Sequence, residues 1–164
     1  FTDKPYGSVD FAKIDKFLNT AFPYVDSSNI QHIGFGQSYI VGENKIDNFK
    51  IDLYYTDSFI NPMSLTDGIR IASIADLIAM KVDVIQRGGR KKDFWDIHEL
   101  MSDYTFEEMV LFHIKRYPYH HDEQEILSKF TDFTKADDDF DPICLKGKIW
   151  EIIKLDFLDF VKTI

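Results

Sequence analysis

The chain has 164 residues, 45% of them apolar, and a formal charge of −9. That excludes a disordered chain, and it excludes a protein that grips nucleic acid over its whole surface. A single cysteine, Cys144, rules out an intrachain disulfide and suits a reducing cytoplasm, and no apolar run reaches the length of a membrane span.

Thr2 to Ser8, with Pro5 and Gly7, reads as a loop. Ser8 is placed to cap a helix from about Val9 to Phe22, with Phe11, Ile14, Phe17, Leu18 and Phe22 on its apolar face and Pro23 at its end. From Asn29 to Tyr55 the pattern turns to strands. Ile30 and His32 alternate with Gln31 and Ile33, Ser38 to Val41 forms a second strand, and the turn Gly42-Glu43-Asn44 leads to Asn48–Tyr55. Such short loops favour antiparallel neighbours. In Lys50-Ile51-Asp52-Leu53-Tyr54 the period of two puts Asp52 with Lys50 and Tyr54, and Ile51 with Leu53 on the other face. On pattern alone Asp52 is an exposed acid on a half-buried strand. Asn61 to Arg70, with Pro62 and Gly68, reads as a loop crossing back to the helices.

Two helices broken by Gly88-Gly89 follow. In the first, Ile74, Leu77, Ile78, Val82 and Ile85 recur at helical spacing, and Lys81 lies in the same stripe. A cation among apolar side chains must snorkel or find a partner. The second helix starts near Lys91, with Phe94, Ile97 and Met101 on its core face. Its Asp93 and Asp96 sit three apart and project to one side, where they repel unless a cation, a metal or a proton intervenes. Lys81 is therefore expected within ion-pair reach of Asp93 or Asp96. The plain alternative is that Lys81 snorkels, Asp93 serves the helix dipole and Asp96 pairs with Lys92. Arg87, Arg90, Lys91 and Lys92 form the one dense cationic cluster, which suits either a phosphate or a solvated turn.

After Tyr104, Thr105 caps a helix to about Arg116, with Glu107 and Glu108 in its first turn. His120-His121-Asp122 lacks the spacing of a metal site. Asp122 instead caps a helix over Glu123–Phe133. Ala136 to Pro142 reads as a solvated acidic loop. Lys146 to Thr163 is the last helix, with Ile149, Ile152, Ile153, Phe157 and Phe160 on its apolar face.

The segment IASIADLIAMKVDVIQRGGRKKDFWDIHELM resembles the helical motif of the AbiEii-type nucleotidyltransferase family, whose members include toxins of bacterial toxin–antitoxin and phage-defence systems. There a lysine-to-arginine stretch precedes K-D-x-x-D. Here the matching residues are Lys81, Arg87, Lys92, Asp93 and Asp96. The upstream FKIDLYYTD is similar to the family's third-carboxylate strand, with Asp52 as the matching acid. The resemblance runs from Phe1 to about Tyr104. It implies a polymerase-β-like α+β fold: a small, mostly antiparallel sheet with flanking helices in a partial nucleotidyltransferase region (1–70), then a helical region (71–164).

It also implies transfer of a nucleotide from an NTP to an acceptor, in some relatives an RNA or tRNA, with Mg²⁺ as cofactor and an antitoxin protein as partner. Asp52 would be a metal ligand, and Lys81, Arg87 and Lys92 would touch the triphosphate. Asp93 and Asp96 would orient Lys81 or the substrate. Phe1-Thr2-Asp3 is similar to the residues just after the family's acidic-pair strand. The expectation is thus a chain truncated at its N-terminus, inactive alone, without the Gly-rich turn and two metal-binding acids. A catalytically inactive remnant or protein-binding module that keeps the helical half is the alternative.

Overall fold

The computed structural model describes residues 1–28 and 35–163, so the expected strand around Ile30 and His32 lies outside the described residues. The chain divides into two units, Phe1–Ser58 and Phe59–Ile164, each taken by itself below.

In the first unit, helix α1 spans Phe11–Ala21. Its cap is Asp10, not Ser8: the Asp10 carboxylate accepts from the Lys13 N–H at 3.0 Å. The helix buries the row Ile14, Leu18 and Phe22 against Tyr39 and Val41. Phe17 falls outside that row and is exposed, contrary to the periodicity reading. Pro23 follows the helix, and Phe22 N–H closes it on the Leu18 carbonyl at 2.9 Å.

Strands β1 (Tyr24–Asp26), β2 (Gly36–Gly42) and β3 (Asn48–Tyr54) form an antiparallel sheet in that order. Ser38 pairs with Asp52 and Ile40 with Lys50. Ile51 and Leu53 pack on the α1 side, so the expected register holds. The side chains of Asp52, Lys50 and Tyr54 share the other face.

The second unit opens on a hairpin that the sequence reading took for loop. Strands β4 (Ser64–Thr66) and β5 (Ile69–Ile71) pair antiparallel across Asp67-Gly68. Both turn residues have positive φ, 51° and 79°, as a tight two-residue hairpin turn requires.

Helices α2 (Ile74–Gln86), α3 (Lys91–His98), α4 (Phe106–Arg116), α5 (Glu123–Phe130), α6 (Thr134–Asp137) and α7 (Trp150–Phe160) follow, α7 ending in a short 3₁₀ turn, Val161–Thr163. Local caps fix most starts. Ser73 accepts from the Asp76 N–H, Asp122 accepts from Glu125, and Thr105 with Glu108 forms a reciprocal capping box at 2.8 and 3.3 Å.

The core of this unit joins Ile78, Val82 and Ile85 of α2 to Phe94 and Ile97 of α3, Met109 of α4, Ile126 and Phe130 of α5, and Trp150, Ile153 and Phe157 of α7. The Trp95 and Trp150 rings stack at 5.5 Å. Ile74 and Leu77 are partly exposed, so the buried face of α2 is narrower than the periodicity implied. Helix α7 begins at Trp150 rather than Lys146. Gly147 takes φ +66°, and Cys144 Sγ accepts from the Lys148 N–H, which holds that stretch as a turn. Ile149 and Ile152 face outward in consequence. Among the described residues no helix is long and apolar enough to cross a membrane.

Candidate functional site

Lys81 leaves α2 beside the start of α3, and the glycine turn sets this geometry. Gly88 takes φ +82°, and a Cβ on Gly89 would lie 3.1 Å from the Ile85 Cα, so the chain reverses closely against α2. Arg90 then enters α3, and Asp93 secures the entry: its Oδ2 accepts from the Arg90 N–H at 3.1 Å. Its Oδ1 is left for Lys81, whose Nζ lies 2.8 Å away. Asp96 Oδ2 accepts from the same ammonium at 2.6 Å. Asp96 therefore pairs with Lys81 and not with Lys92, and Asp93 both caps the helix and binds the lysine. The ammonium is the cation that lets two acids three residues apart share one side of a helix.

Side-chain exposure falls from 54% at Asp96 through 30% at Lys81 to 5% at Asp93, so the group opens to solvent on the Asp96 side. Burial pulls the Lys81 pKa down, but the bonds to Asp93 and Asp96 outweigh it and hold the amine above its ordinary value. Lys81 is a fixed positive charge near neutral pH, held by two carboxylates and unsuited to accepting a proton.

The neighbouring cations are mostly engaged. Arg87 is exposed and held by Asp83 one turn earlier on α2. Arg90 grips Asp139 with Nε and Nη2 at 3.1 and 3.0 Å. Lys91 is buried, with Nζ 2.8 Å from Asp141 and 5.5 Å from the centre of the Trp150 ring. Lys92 is exposed and has no ion pair among the described residues. Neither Arg87 nor Lys92 bonds to the Lys81 group.

Asp52 belongs to the first unit. Its Oδ1 accepts from Ser38 Oγ and from Lys50 Nζ, the latter at 2.8 Å. Strand β3 lies at the edge of the described sheet, not at its centre, with only a parallel bridge from Thr2 to Tyr55 beyond it. Magnesium takes several oxygens in near-octahedral geometry. Asp52 supplies one carboxylate, already drawn to an ammonium. Among the described residues no three His, Cys, Asp or Glu side chains group to hold a metal. These residues do not by themselves fit a magnesium centre.

The sequence reading missed three sets of partners. Asp76 and Arg116 form a fully buried ion pair at 2.8 Å. Asp76 also accepts from Ile60 N–H at 2.7 Å and Ser73 Oγ at 2.6 Å. His113 is buried with its Nδ1 3.0 Å from His121 Nδ1, and its Nε2 lies 3.7 Å from Asp83. Burial and the facing His113 lower the His121 pKa. The acidic stretch expected to be solvated is instead bound: Asp137 accepts from Trp150 Nε1 at 2.6 Å, and Asp139 and Asp141 hold Arg90 and Lys91. An acid run facing a basic cluster was the available signal, but spacing does not show that two such runs meet.

The fold, a small antiparallel sheet followed by a helical bundle, has a counterpart among solved structures. An H. pylori protein assigned as a nucleotidyltransferase shares the fold with a TM-score of 0.52 at 17% identity. The match covers 87% of this chain, and the chain spans 65% of the length of that protein. Residues 13–163 match the family model described as nucleotidyl transferase AbiEii toxin, type IV toxin–antitoxin system. The chain belongs to that family. The match continues well past Tyr104, through the helices to the end of α7. No curated protein matches.

Proposed function

We propose that this chain serves transfer of a nucleotide from an NTP to an RNA or tRNA acceptor, in a toxin restrained by an antitoxin protein. The observation that supports this reading most is the Lys81 ammonium, held 2.8 Å from Asp93 and 2.6 Å from Asp96 and partly open to solvent. In such a transfer an acceptor hydroxyl attacks the α-phosphorus and pyrophosphate departs. A positioned cation stabilises the charge that builds on the phosphate oxygens. Lys81 takes that role, Asp93 and Asp96 aim it, and Arg87 and Lys92 add positive charge for the triphosphate. The family resemblance also calls for Mg²⁺, and Asp52 alone does not fit one.

The test is incorporation of each labelled NTP into tRNA and total RNA by the protein. Lys81→Gln should lower incorporation by about 10²-fold or more, the size typical of losing a preorganised electrostatic contact, and Lys81→Arg should keep more activity. Unchanged incorporation by folded Lys81→Gln would overturn the role of Lys81. No incorporation from any NTP by the folded protein would overturn transfer and favour a protein-binding module.

A further inference from the structure

We propose that the basic patch at Arg90 and Lys91 is a contact for single-stranded nucleic acid that the chain's own segment Asp139-Phe140-Asp141 occupies until a strand displaces it. This rests on the reading that the acceptor is RNA.

The occupant supports it first. Asp139 meets the Arg90 guanidinium through two parallel bonds at 3.1 and 3.0 Å. Phe140 lies 5.4 Å from that guanidinium, ring to cation, and Asp141 meets Lys91 at 2.8 Å. Anion, flat ring, anion in succession is the order of phosphate, base and phosphate along a single strand. Arginine forks fit phosphate as well as carboxylate, and bases stack on guanidinium planes. Phe140 is 76% exposed, so the segment covers the cations without making a core of its own. The Arg90 guanidinium, helped by the Phe140 and Lys91 N–H groups, holds the Asp139 carboxyl below its ordinary range, so the carboxylate is charged whenever a phosphate would compete.

Fixed points flank the segment. Asp137 stays anchored on Trp150 and on Lys154, at 2.6 and 3.0 Å, and Pro142 follows Asp141. Release of the Arg90 and Lys91 contacts leaves Asp139 tied by its N–H to the Ala136 carbonyl at 3.0 Å and frees Phe140 and Asp141, while α6 keeps its anchor. Lys92 is exposed beside the patch and is available to a further phosphate.

The experiment is fluorescence anisotropy with a labelled single-stranded RNA 12-mer lacking a 5′-phosphate, without NTP, so that binding is read apart from transfer. The double variant Asp139→Asn/Asp141→Asn should bind roughly tenfold more tightly than wild type, the size expected for removing two partly exposed competing pairs. The control Asp132→Asn/Asp159→Asn removes the same charge elsewhere and should change affinity by less than about twofold. Adding Arg90→Gln to the first variant should abolish the gain. About two phosphate contacts give a log–log salt slope near −1.4.

A gain no larger than the control's would overturn the proposal. So would a gain for inorganic tripolyphosphate alone, which would make the patch a triphosphate contact. If the double variant unfolds, hydrogen exchange on wild type decides. Saturating RNA should speed exchange across residues 138–141, and unchanged exchange there would overturn the proposal. Transfer without this binding, or binding without transfer, separates the present proposal from the reading it rests on.

Discussion

Asp76→Ala should be among the most damaging single substitutions in the second unit. Both members of the Asp76–Arg116 pair have no exposed side-chain surface. Asp76 also accepts from the Ile60 N–H at 2.7 Å, the Asn61 N–H at 3.3 Å and Ser73 Oγ at 2.6 Å. Its removal leaves a buried guanidinium and two backbone donors without their acceptor. Breaking a buried ion pair on one side costs about 3–5 kcal/mol. The lower end applies here, about 3 kcal/mol, because Arg116 keeps the Tyr117 hydroxyl at 3.1 Å and the Phe59 ring at 4.7 Å. For a unit of this size that is a fall of roughly 12 °C in Tm, at about 4 °C per kcal/mol.

Arg116→Met should cost less than Asp76→Ala, since Asp76 then keeps its neutral donors. Burial raises the Asp76 pKa, but Ser73, the Ile60 and Asn61 N–H groups and Arg116 together outweigh it and hold the group below its ordinary value. A depressed carboxyl contributes stability that is present above its unfolded pKa of about 3.9 and lost as pH falls through the folded value. Asp76→Asn should therefore flatten the acid limb of stability against pH. Urea melts of wild type, Asp76→Ala and Asp76→Asn at several pH values measure both effects. A loss below about 1 kcal/mol for Asp76→Ala would refute the reasoning, since a surface pair can cost that much.

Three further outcomes are expected. Asp93→Ala should cost about 2 kcal/mol in denaturant melts, from the lost cap and the lost buried partner of Lys81, while Asp96→Ala costs under about 1 kcal/mol; equal losses would contradict the division of labour between them. Lys146 and Lys148 hold the Glu99 carboxyl down to about 2 from an ordinary 4.5, so Glu99 contributes stability above pH 4.5 that fades as pH falls toward 2; Glu99→Gln should remove that part of the acid transition, seen in Tm against pH. Asp52→Asn should leave stability within about 0.5 kcal/mol of wild type, because its carboxylate is partly solvated and its Ser38 and Lys50 contacts lie at the surface; a larger loss in denaturant melts would make Asp52 a structural residue.

What was legible in the sequence was what neighbouring residues decide among themselves. Lys81, Asp93 and Asp96 meet because helical spacing sets which side chains project together and a tight glycine turn joins the two helices. The caps at Thr105 and Asp122 are likewise settled within a few residues, although at α1 Asp10 takes the place expected of Ser8. Periodicity overreached at the edges of a face: Ile74, Leu77, Phe17 and Ile149 have the right spacing, but how wide a stripe is covered depends on the elements packed over it. The β4–β5 hairpin departs from the loop that Pro62 and Gly68 suggest, because Asp67-Gly68 makes a two-residue turn with both residues at positive φ.

The unread part of the molecule is made of pairs distant in sequence. Arg116 lies forty residues from Asp76, and Asp139 and Asp141 lie 49 and 50 residues from the cations they hold. Each partner alone looks like an ordinary charged residue, and charge does not encode address. Burial decides which pairings are made. Lys91 is buried, with Trp150 of α7 beside its ammonium, and a buried ammonium must find a carboxylate. The acidic run 137–141 supplies it. An apparent solvated loop thus becomes a fixed ligand of the basic cluster, and any anion that uses Arg90 and Lys91 must first compete with the chain itself.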